Sequence, residues 1–319
     1  MANVLPFETQ VRAIGALVEG CSIRAAERMI GTHRDTIMRL GVRIGNACES
    51  LHNARMVDVQ CSALELDEAW SFIAKKRKNV KADDPAEYGD CYLWVGLDAN
   101  RKAIVSYRTG KRTTLDARAF LADLRARVLN RPQITSDGYA PYIEAVWESF
   151  GQDCDFAQII KEFQSTPGNE AAVRYSPGSI RGIQKRVIQG NPDKSKISTS
   201  FVERQNLTLR MHIRRMTRLT NGFSKKLANH AAAISLHVAW YNFCRVHETL
   251  AVTPAMEIGI TDHVWSIAEL IEEATATPES PSPAPAPTSP TPKHSKYAGL
   301  PEDRRPPRRL VVIKGGKLG

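Results

Sequence analysis

The chain has 319 residues, of which 42% are hydrophobic, and a formal net charge of +10 at pH 7. These values exclude a fibrous or wholly disordered chain and predict a globular protein of about two domains, long enough to bury a sizeable core. No run approaches the ~18 apolar residues of a membrane span and the first 20 residues lack a signal-peptide pattern, so we expect a cytoplasmic protein with no membrane partner.

The positive charge is unevenly distributed along the chain. Residues 293–319 hold eight Lys or Arg against Glu302 and Asp303, which leaves the tail at +6. Residues 204–226 hold seven Lys or Arg and no acid, and this cluster is the clearer indication of a nucleic-acid partner. The six cysteines are scattered without a C-x-x-C pair and indicate neither a zinc site nor a disulfide framework.

Residues 1–56 predict a small all-α helix-turn-helix domain that binds DNA. Apolar residues recur at helical spacing between Val11 and Val18, and Ser22 and Thr32 can each cap a further helix. A plain helical bundle is the alternative interpretation. In the DNA-binding interpretation the third helix presents His33, Arg34, Thr36 and Arg39 to the DNA.

From residue 62 the hydrophobic period changes to two, which predicts a strand containing Leu64, Leu66 and Asp67. Apolar runs at 91–97 and 103–107 predict a hairpin, 114–129 is an amphipathic helix, and a short strand at 133–135 ends at Asp137. Helices are predicted at 142–150, from Glu203 onward, and at about 224–244. Three strands, a helix, a strand that ends at an acid and a later helix carrying another acid are the order of a ribonuclease-H-like domain.

The predicted fold class is therefore α/β: a ribonuclease-H-like mixed sheet with helices, preceded by the helix-turn-helix domain. This second domain is placed at 60–273, with a basic insertion at 164–199. Residues 274–292, rich in Pro, predict a disordered linker because such a stretch cannot bury enough surface to offset its ordering entropy. A basic tail follows at 293–319.

Three carboxylates would converge if this fold is correct, namely Asp67, Asp137 and Glu203. Phosphoryl transfer on DNA requires Mg²⁺-type ions about 3.5 to 4 Å apart, which carboxylates from separate elements can hold. Each acid also has a simpler interpretation. Asp67 can be a solvent-facing strand residue, Asp137 can start a turn with Gly138, and Glu203 can form an S-x-x-E capping box with Ser200.

Three motifs carry a resemblance to a known family: Glu65-Leu-Asp-Glu-Ala-Trp, Ser136-Asp-Gly-Tyr, and Phe201-Val-Glu-Arg-Gln-Asn-Leu-Thr-Leu-Arg. They resemble the motifs of the DDE transposases of the insertion sequence one family, over about residues 64–265. The resemblance implies a ribonuclease-H-like catalytic domain that cuts the ends of a mobile element and joins them to new DNA. It implies two Mg²⁺ ions, which Mn²⁺ can replace, held by Asp67, Asp137 and Glu203.

The resemblance further implies DNA as the partner, both element ends and target, with a homo-oligomer on the DNA and a nucleoid-associated location in a prokaryotic cell. Asn206 and Arg210 match polar positions on the glutamate helix. The chain departs from the family in lacking cysteines for an N-terminal zinc finger and in its linker and tail. The side chains expected to contact DNA from the insertion and the basic segment are Lys185, Arg186, Arg204, Asn206, Arg210, Arg214, Arg215 and Arg218.

Two other functions compete with a DNA-cutting and DNA-joining enzyme. One is a non-catalytic DNA-binding regulator or domesticated remnant, and the other is a ribonuclease-H-like nuclease without strand transfer. Cleavage with Mg²⁺ against EDTA separates the first alternative from both enzymes. Strand-transfer assays separate the two enzymes from each other.

Overall fold

The computed structural model describes residues 4–164, 179–217 and 221–278 of the chain. The helices are α1 (Phe7–Val18), α2 (Ile23–Ile30), α3 (Arg34–Arg55), α4 (Thr114–Arg127), α5 (Pro141–Phe150), α6 (Ser200–His212), α7 (Leu227–Phe243), α8 (Pro254–Glu257) and α9 (Ile267–Ala276). The strands are β1 (Ala63–Ile73), β2 (Gly89–Asp98), β3 (Ile104–Gly110), β4 (Gln133–Asp137), β5 (Asp155–Gln164) and β6 (Ser179–Gln189).

All six strands form one mixed sheet in the order β3-β2-β1-β4-β5-β6. Strand β1 pairs antiparallel with β2 and parallel with β4, and β4 pairs parallel with β5. Helix α4 provides the crossover from the β1–β3 meander to β4, which is the connection that a parallel neighbour requires. The α/β fold of ribonuclease-H type predicted from the sequence is confirmed.

Strands β5 and β6 have no counterpart in the sequence prediction. Strand β6 lies inside the stretch predicted to be a basic insertion, and it pairs antiparallel with β5. Its exposed apolar residues Ile183 and Val187 are interspersed with Lys185 and Arg186, which masked the apolar alternation expected of a strand. The sheet therefore has two strands more than the sequence analysis predicts.

The hydrophobic core lies on both faces of the sheet. Leu64, Leu66 and Trp94 pack on one face with α4 and α5. Leu93 and Val95 pack on the other face with α1, α3, α6, α7 and α9. Because side chains alternate along a strand, β1 directs Glu65 and Asp67 toward the same face as Ala69, where α6 lies.

The N-terminal helices share their core with the rest of the protein. Helix α3 packs along α7, and a side chain at Gly45 would clash with the carbonyl oxygen of Ala232. The buried residues Ile44 and Leu51 belong to the same cluster as Leu93 of the sheet. The boundary near residue 56 stays a prediction, but the helices before it are packed against the sheet domain.

The turns between these helices partly follow the sequence prediction. Ser22 caps α2 by accepting a hydrogen bond from the Ala25 amide at 3.1 Å, as predicted. Helix α3 begins one residue later than expected, with His33 in place of Thr32 as the cap. The short α2, the left-handed turn at Gly31 and the longer α3 reproduce the helix-turn-helix outline.

At the C-terminal end α9 continues through Ala276, three residues into the predicted linker. The remainder of the linker beyond residue 278 and the basic tail lie outside the described residues. Among the described residues, no helix is both long and apolar enough to cross a membrane.

Candidate active site

Asp67 and Asp137 lie side by side on adjacent parallel strands. The β1–β4 register pairs Leu66 with Ser136, so the next residue on each strand is one of the two aspartates. Oxygen atoms of Asp67, Glu68 and Asp137 all lie within 4.8 Å of one another. The structure therefore brings two of the predicted carboxylates close together. The third member of this cluster is Glu68, which the sequence analysis did not select.

The charged forms of the cluster are electrostatically disfavoured. Burial, followed by the nearby charge of Asp137, raises the pKa of Asp67 to about 6 even though hydrogen bonds to its carboxylate oppose the shift. Burial and the same neighbour raise the pKa of Glu68 to about 7. Three acids held this close repel one another, and a bound cation would relieve that repulsion.

Arg112, in the turn between β3 and α4, partly neutralises the cluster. Its Nη2 lies 3.2 Å from Glu68 Oε2 and 3.4 Å from Asp137 Oδ2. The guanidinium also lies over the ring of Tyr139, 4.1 Å from the ring centroid. Because it is itself exposed, this arginine can leave the acids without uncovering the core.

Glu203 lies in the first turn of α6 and outside the carboxylate cluster. It forms an ion pair with Lys161 of β5, and its Oε1 accepts a hydrogen bond from Thr199 Oγ1 at 2.6 Å. Its charge nonetheless contributes to the raised pKa of Asp67, so the two carboxylates are near each other. The structure brings Glu203 to the edge of the site but pairs it with a lysine.

The alternative interpretation of Glu203 as part of a capping box is wrong. The residue at the N-cap position of α6 is Thr199, not Ser200, and the Thr199 side chain accepts no hydrogen bond from the amides of the first turn. The cap comes from another element: Oε2 of Glu65 accepts hydrogen bonds from the amides of Phe201 and Val202, each at 2.8 Å. A carboxylate is favourable there because it satisfies helix-terminal amides and faces the positive end of the helix dipole.

Two polar residues of α6 are engaged inside the protein. Asn206 is 7% exposed and donates from Nδ2 to Asp67 Oδ2 at 2.8 Å. Arg210 donates from Nη1 to the carbonyl oxygens of Trp70 and Met216, at 3.2 and 3.1 Å. In this structure Asn206 orients Asp67 and Arg210 ties α6 to β1, while their predicted contact with DNA stays a prediction.

The other residues predicted to bind DNA lie mostly on the surface. His33, Arg34 and Arg39 are exposed at the start of α3, where Thr36 is half-buried. Exposed basic side chains also lie on β6 and α6 and just after α6, whereas Arg215 is half-buried. Arg218 lies outside the described residues. The exposed members of the set on the sheet side are Lys185, Arg186, Arg204 and Arg214.

The donor set fits a hard divalent cation. Asp67, Glu68 and Asp137 offer only carboxylate oxygens, the ligands that Mg²⁺ and Mn²⁺ prefer, and no thiol or imidazole belongs to the cluster. The buried carboxylate of Glu68 has the Arg112 guanidinium and the Tyr142 hydroxyl as its neighbours, and a bound cation would compete with both for its oxygens.

Sequence reasoning missed these residues for two reasons. Glu68 stands beside Asp67 in the quoted motif, but the alternation of a strand places neighbours on opposite faces and argues against convergence. Here β4 ends at Asp137, level with Asp67, so no partner strand continues past the acids on that side. Glu65, Arg112 and Lys161 act through contacts between elements distant in sequence, for which a single sequence offers no signal.

The proteins similar to this chain include a curated insertion element protein and a solved transposase structure. No family model matches the chain. The insertion element iso-IS1n protein InsB of Shigella dysenteriae is 26% identical over 179 residues, which are 56% of this chain and 95% of that protein. A cryo-EM structure of the piggyBac transposase synaptic complex with hairpin DNA aligns with a TM-score of 0.41 and 10% identity over 85% of this chain and 70% of that one, a similarity too low to support an inference. The relative from an iso-IS1 element, the three motifs and the ribonuclease-H-like sheet agree, and the chain resembles the DDE transposases of the insertion sequence one family.

Proposed function

We propose that this protein is a DDE-type transposase, which binds the ends of a mobile DNA element, cleaves a strand and joins it to target DNA. The observation that carries the proposal is the convergence of Asp67, Glu68 and Asp137 within 4.8 Å on adjacent strands of a ribonuclease-H-like sheet, beside the helix that carries Glu203. The similarity to an insertion element protein supports the same class of function.

The proposed site residues are Asp67, Asp137 and Glu203, with Glu68 as an additional oxygen donor. When bound, a pair of divalent cations would supply a nucleophile and stabilise the charge on the leaving oxygen. Asn206 holds one oxygen of Asp67 and so directs the other oxygen into the cluster. Glu203 joins the site only if its carboxylate turns away from Lys161, a side-chain rotation that leaves the backbone of α6 in place.

Basic side chains around the site would hold the DNA backbone. Arg204 on α6 and Lys185 and Arg186 on β6 are exposed near the carboxylates, since β6 pairs with β5, the strand of Lys161. Arg112 faces the same acids, so a phosphate that approaches them meets a cation already in place. Contacts of this kind hold the substrate without reading its sequence.

The test uses a supercoiled plasmid that carries the DNA flanking the gene, incubated with the full-length protein in Mg²⁺ or EDTA. We expect Mg²⁺-dependent strand cleavage and joining to a second plasmid, both lost in a folded Asp137→Asn variant. Cleavage without joining would show that the protein is a nuclease and not a transposase. Specific binding without cleavage in Mg²⁺ would indicate a non-catalytic DNA-binding protein.

A further inference from the structure

A cavity of about 760 Å³ lies away from the carboxylates, between the N-terminal helices and the C-terminal end of α6. Its wall comes from α1, α2 and α3 on one side and from α7 and the segment after α6 on the other. Gly20 fixes one margin, because its left-handed backbone (φ +83°) packs so closely on the Met211 carbonyl oxygen that a side chain would clash. The volume lies within the ~300–1,000 Å³ of small-molecule sites.

The lining combines an apolar floor with a cationic rim. Val18, Val42 and Leu236 contribute to the floor, while no aspartate or glutamate belongs to the described lining. The acid Glu19, which is outside the lining, has its carboxylate 3.8 Å from Nδ1 of the lining residue His212. The basic side chains of the lining are Arg24, Arg214, Arg215, Lys225 and Lys226, and all but Arg215 are exposed.

Two features of the lining suit a planar heterocycle. Phe223 and His212 contribute flat rings to the wall. His237 also lines the cavity and is 1% exposed, yet neither of its ring nitrogens has a hydrogen-bond partner among the described residues. Burial lowers the pKa of His237 to about 3, so the neutral ring keeps one donor and one acceptor for a ligand. An unpartnered polar group at a buried wall is costly unless a ligand satisfies it.

We infer that this cavity receives one unstacked nucleotide of a DNA strand, with its base against the apolar floor and its flanking phosphates on the basic rim. Bases bound outside a helix are stacked on aromatic side chains and hydrogen-bonded at their edges, and their phosphates are held by Lys and Arg. The cavity offers each of these groups together. The inference rests on the proposed function only for the identity of the polymer as DNA.

The position of the cavity along α6 determines how far the bound nucleotide lies from the carboxylates. From Asn206, which contacts Asp67, to His212 at the cavity, helix α6 rises by about 9 Å, at ~1.5 Å per residue. At about 3.4 Å per nucleotide of a duplex strand, this rise corresponds to roughly three nucleotides between the captured base and the phosphate at the carboxylates. The captured nucleotide would thereby help to fix which phosphate reaches Asp67 and Asp137.

The experiment measures binding of the full-length protein to 5′-labelled DNA by fluorescence anisotropy in EDTA, where no cleavage occurs. The probes are a single-stranded deoxyadenosine 12-mer, an abasic 12-mer of equal charge and a 12-base-pair duplex. The wild-type protein is expected to bind the abasic strand about tenfold more weakly than the adenine strand, since stacking of a base contributes ~1–3 kcal/mol. In Val42→Trp, which fills the cavity from α3, this ratio is expected to fall toward one while duplex binding is unchanged.

A second pair of variants separates this cavity from general positive charge. Lys225→Glu with Lys226→Glu is expected to weaken binding of both single strands and to lower the salt slope by about 1.4, since each phosphate contact on a single strand contributes ~0.7. Arg12→Glu with Arg28→Glu makes the same charge change at exposed residues outside the lining and is expected to have a smaller effect. The inference is overturned if folded Val42→Trp keeps the wild-type ratio, or if both charge variants lose equal affinity. If the protein binds the base in EDTA but does not cleave DNA in Mg²⁺, the cavity is a nucleotide site and the proposed transposase function is wrong.

Discussion

The pKa values of Asp67 and Glu68 link the stability of the protein to pH. A carboxyl group whose folded pKa is raised stabilises the fold below its unfolded pKa, and that contribution is lost as the pH rises through the folded pKa. For Asp67 the window runs from 3.8 to about 6, and for Glu68 from 4.5 to about 7. Between pH 4 and 7 the metal-free protein therefore loses stability at this site.

We expect Asp67→Asn to remove part of that loss, by an amount of the order of 2 kcal/mol at pH 7. Thermal unfolding in EDTA at pH 4, 5.5 and 7 measures it, with Asp58→Asn as the control at an exposed acid outside the cluster. Millimolar Mg²⁺ should restore the melting temperature that the metal-free wild-type protein loses at pH 7. It should leave the melting temperature of Asp67→Asn nearly unchanged. Identical pH profiles for the wild-type protein and Asp67→Asn would contradict the electrostatic account.

The Glu203 side chain is expected to matter for cleavage and little for stability. Its partners are the half-buried Lys161 and the buried Thr199, but the Glu203 carboxylate is itself exposed, and an ion pair open to solvent contributes less than about 1 kcal/mol. Glu203→Gln should therefore abolish Mg²⁺-dependent cleavage at a nearly unchanged melting temperature. Glu162→Gln, at an exposed acid of the same strand as Lys161, is the matched control. Cleavage by Glu203→Gln at the wild-type rate would show that Glu203 is not part of the active site.

At the scale of elements, the start of α6 depends on a strand residue and not on its own serine. Glu65→Ala leaves the part-buried amide of Phe201 and the buried amide of Val202 without their acceptor and is expected to lower the free energy of unfolding by about 3 kcal/mol. Ser200→Ala removes an exposed hydroxyl that does not cap the helix and should cost less than about 0.5 kcal/mol. Denaturant titration measures the free energy of unfolding of both variants. Equal losses of stability would indicate that Ser200 also caps the helix.

The sequence allowed prediction of elements whose pattern is local. Strand β1 follows from its period of two. The positions of Asp67 within that strand and of Asp137 at the end of β4 follow from a ribonuclease-H-like order, which makes the two strands parallel neighbours. The S-x-x-E pattern at Ser200 was misleading, because the helix amides found a stronger acceptor in Glu65. Glu68, Arg112 and Lys161 were not predictable, because their roles depend on the register and ends of strands distant in sequence.

At the scale of the whole molecule, the N-terminal helices cannot be removed without exposing the core. Ile44 and Leu51 of α3 are fully buried in a cluster that includes α7 and β2. Deletion of residues 1–56 is therefore expected to produce an aggregating or unfolded protein, not a separate sheet domain. Deletion of residues 279–319 should leave the melting temperature within about 2 °C of the full chain, because the described core ends with α9. A cooperative unfolding transition in a soluble 57–319 fragment would contradict this expectation.

The carboxylate of Glu65 also determines how fast the amide protons of α6 exchange with solvent. First-turn amides of a helix normally exchange rapidly because they lack intrahelical partners, but those of Phe201 and Val202 are bonded to a strand in the middle of the sheet. Their exchange should be as slow as that of β1 itself and should become fast in Glu65→Ala. Hydrogen–deuterium exchange would then show the strand that carries Asp67 and the helix that carries Glu203 opening together, as one cooperative unit, so that local fluctuations do not separate the two carboxylates.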